Sequence, residues 1–560
     1  MVAKRKIAPA ADDTKPAKKQ KKTAADVETG HALSPNPDAP PADPNDDPTK
    51  FYTLIPYPDS EKIKDVYIDT PKLCNYLNAA GNWLYSKEGD QKNYEFINIQ
   101  DNTVDNTNEF SMKKATLTFL ATDPPLAPVY KKILGGSKQY FGPHILEGLP
   151  FITAPVFIKD TYTRCYHFYR NTAVKITKDN PTTATTTTVP YTSLTGYVWR
   201  HQIIDRDYAP VQDYSGSDFC RFITMAATGR HYNEIENFTP EENTRILSMC
   251  TTLGYLMHSY KDPSCIKMVI SVDGRIGDTD QPNGRSGKNL FVKAIDKIIR
   301  THLIDGRLLK TTSEHPFSGL KPGTRLLNFS DLRANFDLGW FFNMASDGLS
   351  YNEKNKQITV LTPEESPKIY ISMNHLPKGE ADSFISRQHI IEFGEYFTAA
   401  RQPKDIFGRN FFMEDWPAEQ WNLFDNFMMD CARLYLEMGL VPFPAMNFSY
   451  KKLRTQMPEE VRDFFEPTDD AGKPLPERYQ VSEYPNMEAQ DPGHVNEYNK
   501  ADEYAIFLSF KEEFSAHAKN TFTGFLKAWA SYKGWDINPH KKGGRDARGG
   551  KDYFRFYKKK

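Results

Sequence analysis

Asn283-Gly284-Arg285-Ser286-Gly287-Lys288-Asn289 is the stretch whose reading decides the fold. An apolar run, Ile266 to Val272, precedes it and reads as a buried strand; Phe291, Ala294, Ile295 and Ile298 follow it at helical spacing. A glycine-rich turn between strand and helix is the setting of a phosphate-binding loop. Glycines let the backbone curl so that successive N–H groups point at phosphate oxygens. The helix N-terminus adds partial positive charge, and Lys288 supplies a full one for the β- and γ-phosphates. The expected phosphate contacts are Gly284, Arg285, Ser286, Gly287, Lys288 and Asn289. Two positions depart from the G-x-x-x-x-G-K-[ST] pattern. Pro282 replaces the first glycine, and Asn289 replaces the hydroxyl that ligates magnesium, offering an amide oxygen on a longer arm. A chance match of so short a motif is the competing reading.

Downstream residues strengthen the first reading. Thr324 to Phe329 (TRLLNF) is an expected strand ending at Ser330-Asp331, and a carboxylate there holds Mg²⁺ and its water beside a phosphate loop. Lys368 to Met373 (KIYISM) is a further strand, ending at Asn374, whose amide is placed to orient an attacking water. Arg387 follows thirteen residues later, an arginine able to reach the γ-phosphate of a neighbouring subunit. ATP and Mg²⁺ are the expected ligands.

Strands and helices alternate from about residue 236 to 375, which predicts an α/β core with a largely parallel sheet. Thr239, Pro240 and Glu242 form a capping box, and Ile246, Cys250, Leu253 and Met257 continue that helix. Trp421, Phe424, Phe427, Met428, Cys431 and Leu434 form one face of another, closed by Gly439. Residues 1–50 are rich in Ala, Lys, Pro and Asp and read as a disordered basic tail. Residues 51–235 read as a mixed α+β N-terminal domain, 236–395 as the P-loop core, 396–465 as a helical subdomain, and 466–560 as a C-terminal basic module. Thr182 to Thr188 reads as an exposed loop between strands. The C-terminal segment alternates Lys and Arg with Tyr553, Phe554, Phe556 and Tyr557, a mixture suited to phosphate contact and base stacking. It reads either as the wing of a winged-helix module or as a basic tail.

Bulk properties narrow the class. The 560 residues carry a net charge of −1, so any attraction to nucleic acid must come from local patches. The six cysteines include no C-x-x-C pair, which removes a zinc ribbon and suits thiols in a reducing compartment. No apolar run approaches the roughly 20 residues of a membrane span. The lysine clusters near residues 4–6 and 18–22 leave nuclear entry open.

From Tyr197 to about Pro442 the chain resembles the superfamily 3 helicase domain of phage and prophage primase-helicases, the poxvirus-type group common in Bacteroidetes elements. The resemblance rests on YVWRHQIIDRDY (from Tyr197), LGYLMHSYKD (from Leu253), PNGRSGKNLF (from Pro282), SPKIYISMNH (from Ser366), SFISRQHIIEFGEYF and DIFGRNFF. It implies an AAA+-like P-loop core assembled as a ring, usually a homohexamer, translocating on single-stranded DNA at a replication fork. It also implies Lys288 on the phosphates, Asp331 at magnesium, Asn374 as sensor and Arg387 as a finger acting in trans. A DNA-gripping hairpin then falls at Gly348 to Val360, with Lys354 and Lys356 at its tip. Relatives often carry two adjacent acids where this chain has Ser330-Asp331, and two arginines where it has Arg387-Gln388. These departures bear on turnover more than on binding, and they keep a second expectation open: a nucleotide-gated DNA-binding or initiator protein that hydrolyses weakly. Asp101, Asp105, Asp160, Asp205 and Asp207 form no persuasive two-metal pair, so any priming is expected from a separate protein.

Overall fold

The structure is a computed structural model. It describes residues 47–86, 94–152, 156–274, 285–313, 315–333, 336–352, 358–374, 386–446, 453, 456–467, 478–482, 496–539, 541 and 546–558. The chain divides into two compact units, residues 1–97 with 107–154, and residues 98–106 with 155–560. The tail expected over 1–50 lies outside the described residues up to residue 46.

The first unit builds a core of its own. An antiparallel pair, Tyr52–Pro56 with Ile63–Ile68, packs with helices Thr70–Ala79, Glu109–Leu120 and Ala127–Gly135. Phe51, Leu73, Leu77, Met112, Val129 and Ile133 are buried among them. Asp69 caps the first of these helices by accepting from the Lys72 N–H, and a proline in its first turn costs no hydrogen bond there.

The second unit is mixed α/β and is organised around a five-stranded parallel sheet. Its strands are Met268–Asp273, Thr301–Asp305, Leu326–Leu332, Lys368–Met373 and Gln388–Phe393. Across the sheet they lie in the order 301–305, 326–332, 368–373, 268–273, 388–393. A parallel sheet is covered on both faces, which explains runs as apolar as MVISVD and KIYISM. The side chains alternate as the two-residue period requires. Met268, Ile270, Val272, Leu327, Phe329, Ile369, Ile371 and Met373 enter one core, with Leu309, Phe317, Leu338 and Phe341. Val269, Leu326, Tyr370 and Ile391 enter the other.

That second core is closed by helices Asp218–Thr228, Pro240–Met257, Lys288–Asp296 and Ala418–Met438. The expected capping box is present, with Glu242 N–H to Thr239 Oγ1 and Thr239 N–H to Glu242 Oε2. The 240–257 and 418–438 helices approach so closely that a Cβ on Gly254 would lie 2.2 Å from the Cys431 carbonyl oxygen. Only hydrogen fits there.

Two expectations are corrected. Thr183–Val189 is a strand, not a loop, paired antiparallel to Ala173–Asn180. Its threonines are β-branched and mostly exposed, so an outer strand accommodates polar residues that read in sequence as low-complexity loop. At the C-terminus, Phe554, Phe556 and Tyr557 are buried. Phe554 and Phe556 belong to a core with Trp529, Phe465 and Tyr479, and they are not available to stack on bases. The segment is ordered as strands: Lys551–Phe554 pairs with Asp546–Arg548, and Phe556–Lys558 with Trp535–Ile537. Helices Lys500–Phe510 and Lys519–Tyr532 precede them. Among the described residues no helix is long and apolar enough to cross a membrane.

Candidate functional site

At the carboxyl end of the sheet the loop before helix 288–296 opens onto a cleft of about 830 Å³. Such crevices at strand ends are where open α/β sheets bind ligands. Arg285, Ser286, Gly287, Lys288 and Asn289 form one wall, Asp331 and Arg333 another, and Asn374 sits between them. Gly287 is the helix N-cap, at φ +104°, a conformation that glycine tolerates and side chains do not. A Cβ there would also lie 2.7 Å from the Phe222 ring. Ser286 and Lys288 are buried in the cleft floor, whereas Arg285 and Asn289 are exposed.

Lys288 is held by three acceptors. Its Nζ donates to Asp273 Oδ2 at 2.6 Å, Asn374 Oδ1 at 2.7 Å and the Met373 carbonyl at 3.1 Å. Burial pushes its ammonium below the ordinary lysine range, opposed by the carboxylates of Asp273 and Asp331. Ser286 Oγ donates to the same Asp273 carboxylate.

Asp331 reaches the cleft through an irregularity. The pairing of its strand with 368–373 shifts register between Phe329 and Leu332, and Asp331 has φ +51°. Its N–H donates to Ser372 Oγ at 3.0 Å. A non-glycine residue in the left-handed region carries local strain, which persists where surrounding structure enforces it. Ser330 takes no part in the cleft: its carbonyl accepts from Gly306 N–H, and its hydroxyl lies 3.4 Å from the Ile304 carbonyl.

The structure therefore brings Lys288, Asp331 and Asn374 together and leaves Arg387 apart. Arg387 precedes the 388–393 strand, and its carbonyl accepts from Met268 N–H at the sheet's opposite end. Five strand residues at about 3.3 Å each put it roughly 17 Å along the sheet from the cleft. Its guanidinium lies 5.2 Å from the Phe342 ring centre. Gly284, Lys354 and Lys356 lie outside the described residues. The flanks of the expected hairpin are present, as Leu349–Tyr351 paired antiparallel to Thr359–Leu361.

Sequence reasoning missed Asp273, Arg307 and Arg333. The strand reading stopped at Val272, one residue short of a buried acid directly ahead of the loop. That position, an aspartate ending an apolar strand before a glycine-rich segment, was the available signal. Arg307 and Arg333 give the cleft cationic walls with Arg285 and Lys288, against Asp331 among the lining residues. Arg307 also holds Asp305 with two hydrogen bonds, at 2.8 and 3.0 Å.

The acids weighed for two-metal chemistry are placed elsewhere. Asp205 and Asp207 are exposed and both face Arg170, while Arg206 between them turns inward to Asp425. Asp105 pairs with Arg200. Asp160 is buried near Cys165 and His258, with potential ligand atoms within 4.8 Å of one another. Its carboxylate already accepts from Tyr166 N–H, Ser259 N–H and Ser259 Oγ at 2.7–2.8 Å. This set fits a satisfied structural knot better than an open metal site.

No protein-family model matches this sequence, and no curated protein matches it. Among solved structures, the A-form apo structure of the NrS-1 C-terminal region aligns over 70% of this chain and 79% of its own, at 11% identity and a TM-score of 0.32.

Proposed function

We propose that this chain is an ATP-dependent DNA helicase of the replicative type, with the cleft at Lys288 as its nucleotide site. The observation that supports the reading is the convergence of Lys288, Asp331 and Asn374 on one open cleft at the strand ends, against a helix N-terminus. In this reading Lys288 and the N–H groups of Ser286 to Asn289 hold the phosphates. Asp331 and Asn289 are the magnesium ligands. Their fit rests on Asp331, a carboxylate that the register shift places among the residues lining the cleft, and on oxygen donors being what magnesium takes. Held by these two residues, magnesium would supply charge neutralisation for a phosphoryl group in the cleft. Asn374 orients the attacking water, and Arg387, far from its own cleft, serves a neighbouring subunit in a ring. In this reading Lys354 and Lys356, which lie in sequence between the paired strands 349–351 and 359–361, contact the phosphates of single-stranded DNA without reading sequence.

A second reading is a nucleotide-gated DNA-binding or initiator protein with weak hydrolysis. It is favoured by Ser330, which leaves the cleft with one acid at that strand end, and by the saturated ammonium of Lys288. Steady-state phosphate release with and without single-stranded DNA separates the two. The helicase reading expects DNA to stimulate turnover and Lys288→Ala to abolish it. Turnover indifferent to both removes that reading.

A further inference from the structure

Lys288 has three ammonium protons, and all three are engaged: by Asp273 Oδ2, Asn374 Oδ1 and the Met373 carbonyl. A phosphate oxygen can be bound by this lysine only if one acceptor withdraws. The three differ in charge. Asn374 and Met373 present neutral oxygens, which tolerate a nearby polyanion, whereas Asp273 carries a full negative charge. The same carboxylate occupies the Ser286 hydroxyl, a second side-chain donor buried among the described residues of the loop. Asp273 is 7% exposed and is fixed by its place at the end of the 268–273 strand, so it cannot relax far into solvent.

We propose that Asp273 is an internal stand-in for phosphate. It holds Lys288 and Ser286 when no phosphate is bound, and nucleotide binding exchanges these donors from the carboxylate to the triphosphate. The inference rests on the reading of this cleft as a nucleotide site and adds a regulatory residue to it. Charge-assisted bonds of this kind are the strong ones, so the exchange lowers apparent nucleotide affinity and makes the loop select ligands carrying enough negative charge to displace a carboxylate. A nucleoside triphosphate meets that requirement better than a monophosphate.

The test is equilibrium binding of ATP and AMP, with magnesium, to the full chain in wild-type, Asp273→Asn, Asp273→Ser and Lys288→Ala forms. Asp273→Asn keeps the shape and removes the charge; the serine variant serves if the amide traps the lysine or the asparagine protein does not fold. Either neutral variant is expected to bind ATP tighter by on the order of tenfold and to narrow the preference for ATP over AMP. Equal or weaker ATP binding by both folded variants overturns the proposal, because it makes Asp273 an anchor for the lysine. Failure of wild type and all variants to bind nucleotide overturns both this inference and the nucleotide-site reading. Binding by wild type that is lost in Lys288→Ala and not improved by neutralising Asp273 overturns this inference alone.

Discussion

Lys288 and Asn374 meet at 2.7 Å, ammonium to amide oxygen, across the gap between the helix that starts at 288 and the strand that ends at 373. Eighty-six residues separate them in the chain. The contact turns the amide oxygen of Asn374 toward the lysine and leaves its NH₂ group for the cleft. Asn374→Ala is therefore expected to bind nucleotide nearly as well as wild type and to lose turnover by roughly 10²–10³-fold, the usual cost of one positioned polar group. Separate measurement of kcat and KM checks this. A raised KM with unchanged kcat would make Asn374 a binding group only.

The loop's geometry depends on Gly287. Alanine there meets both an unfavourable φ and the Phe222 ring at 2.7 Å. Gly287→Ala should lose nucleotide binding while lowering stability by about 1–3 kcal/mol. Adding Phe222→Leu relieves the clash but not the φ, so binding should recover only in part. Full recovery would show that space alone selects glycine.

Arg206 shows what the D-R-D segment does in place of metal chemistry. Its guanidinium grips Asp425 with two hydrogen bonds and lies 4.7 Å from the Trp421 ring centre. Asp425 is fully buried, so Asp425→Ala leaves an unpaired charge inside the core and should cost about 3–5 kcal/mol. Replacing both residues by apolar ones, Arg206→Met with Asp425→Leu, should recover much of the thermal midpoint. A double variant no more stable than the single one contradicts this account.

Acid should loosen the sheet's covering elements. Burial holds His389 neutral down to about 4 and His167 down to about 3. His389 also hydrogen-bonds Thr252 of the 240–257 helix at 2.8 Å. Unfolded, each takes up a proton near 6.5; folded, neither does, so the unfolded state binds more protons between 6.5 and about 4. Stability is full above 6.5 and falls as pH drops through that window, by about 1.4 kcal/mol per unit for each group. Thermal midpoints measured between these pH values should fall less steeply in His389→Gln. An unchanged slope would show that His389 is not a source of the acid sensitivity.

Much of this architecture was legible in local sequence. The capping box at Thr239, the strand ending at Met373 and the helix closed by Gly439 all follow from signals within one or two turns of chain. The turn and helix start around Lys288 were legible because glycines and a lysine at fixed spacing follow an apolar strand. Asp273 was missed because the strand was read only to Val272; its place at the strand end was visible, but its contacts with Lys288 and Ser286 exist only in the fold. The register shift that turns Asp331 into the cleft was not legible, since strand irregularities depend on the neighbouring strand. The C-terminal aromatic residues misled for the same reason: basic residues alternate with them in sequence, but Phe465, Tyr479 and Trp529 bury them in space.

Whether the cleft at Lys288 grips a triphosphate is decided by titrating the full chain with a non-hydrolysable ATP analogue and magnesium, wild type beside Lys288→Ala. Saturable binding at one site per chain is expected, weakened by roughly a hundredfold or more when the ammonium is removed. Equal affinity in the two folded proteins, or none in either, would contradict it.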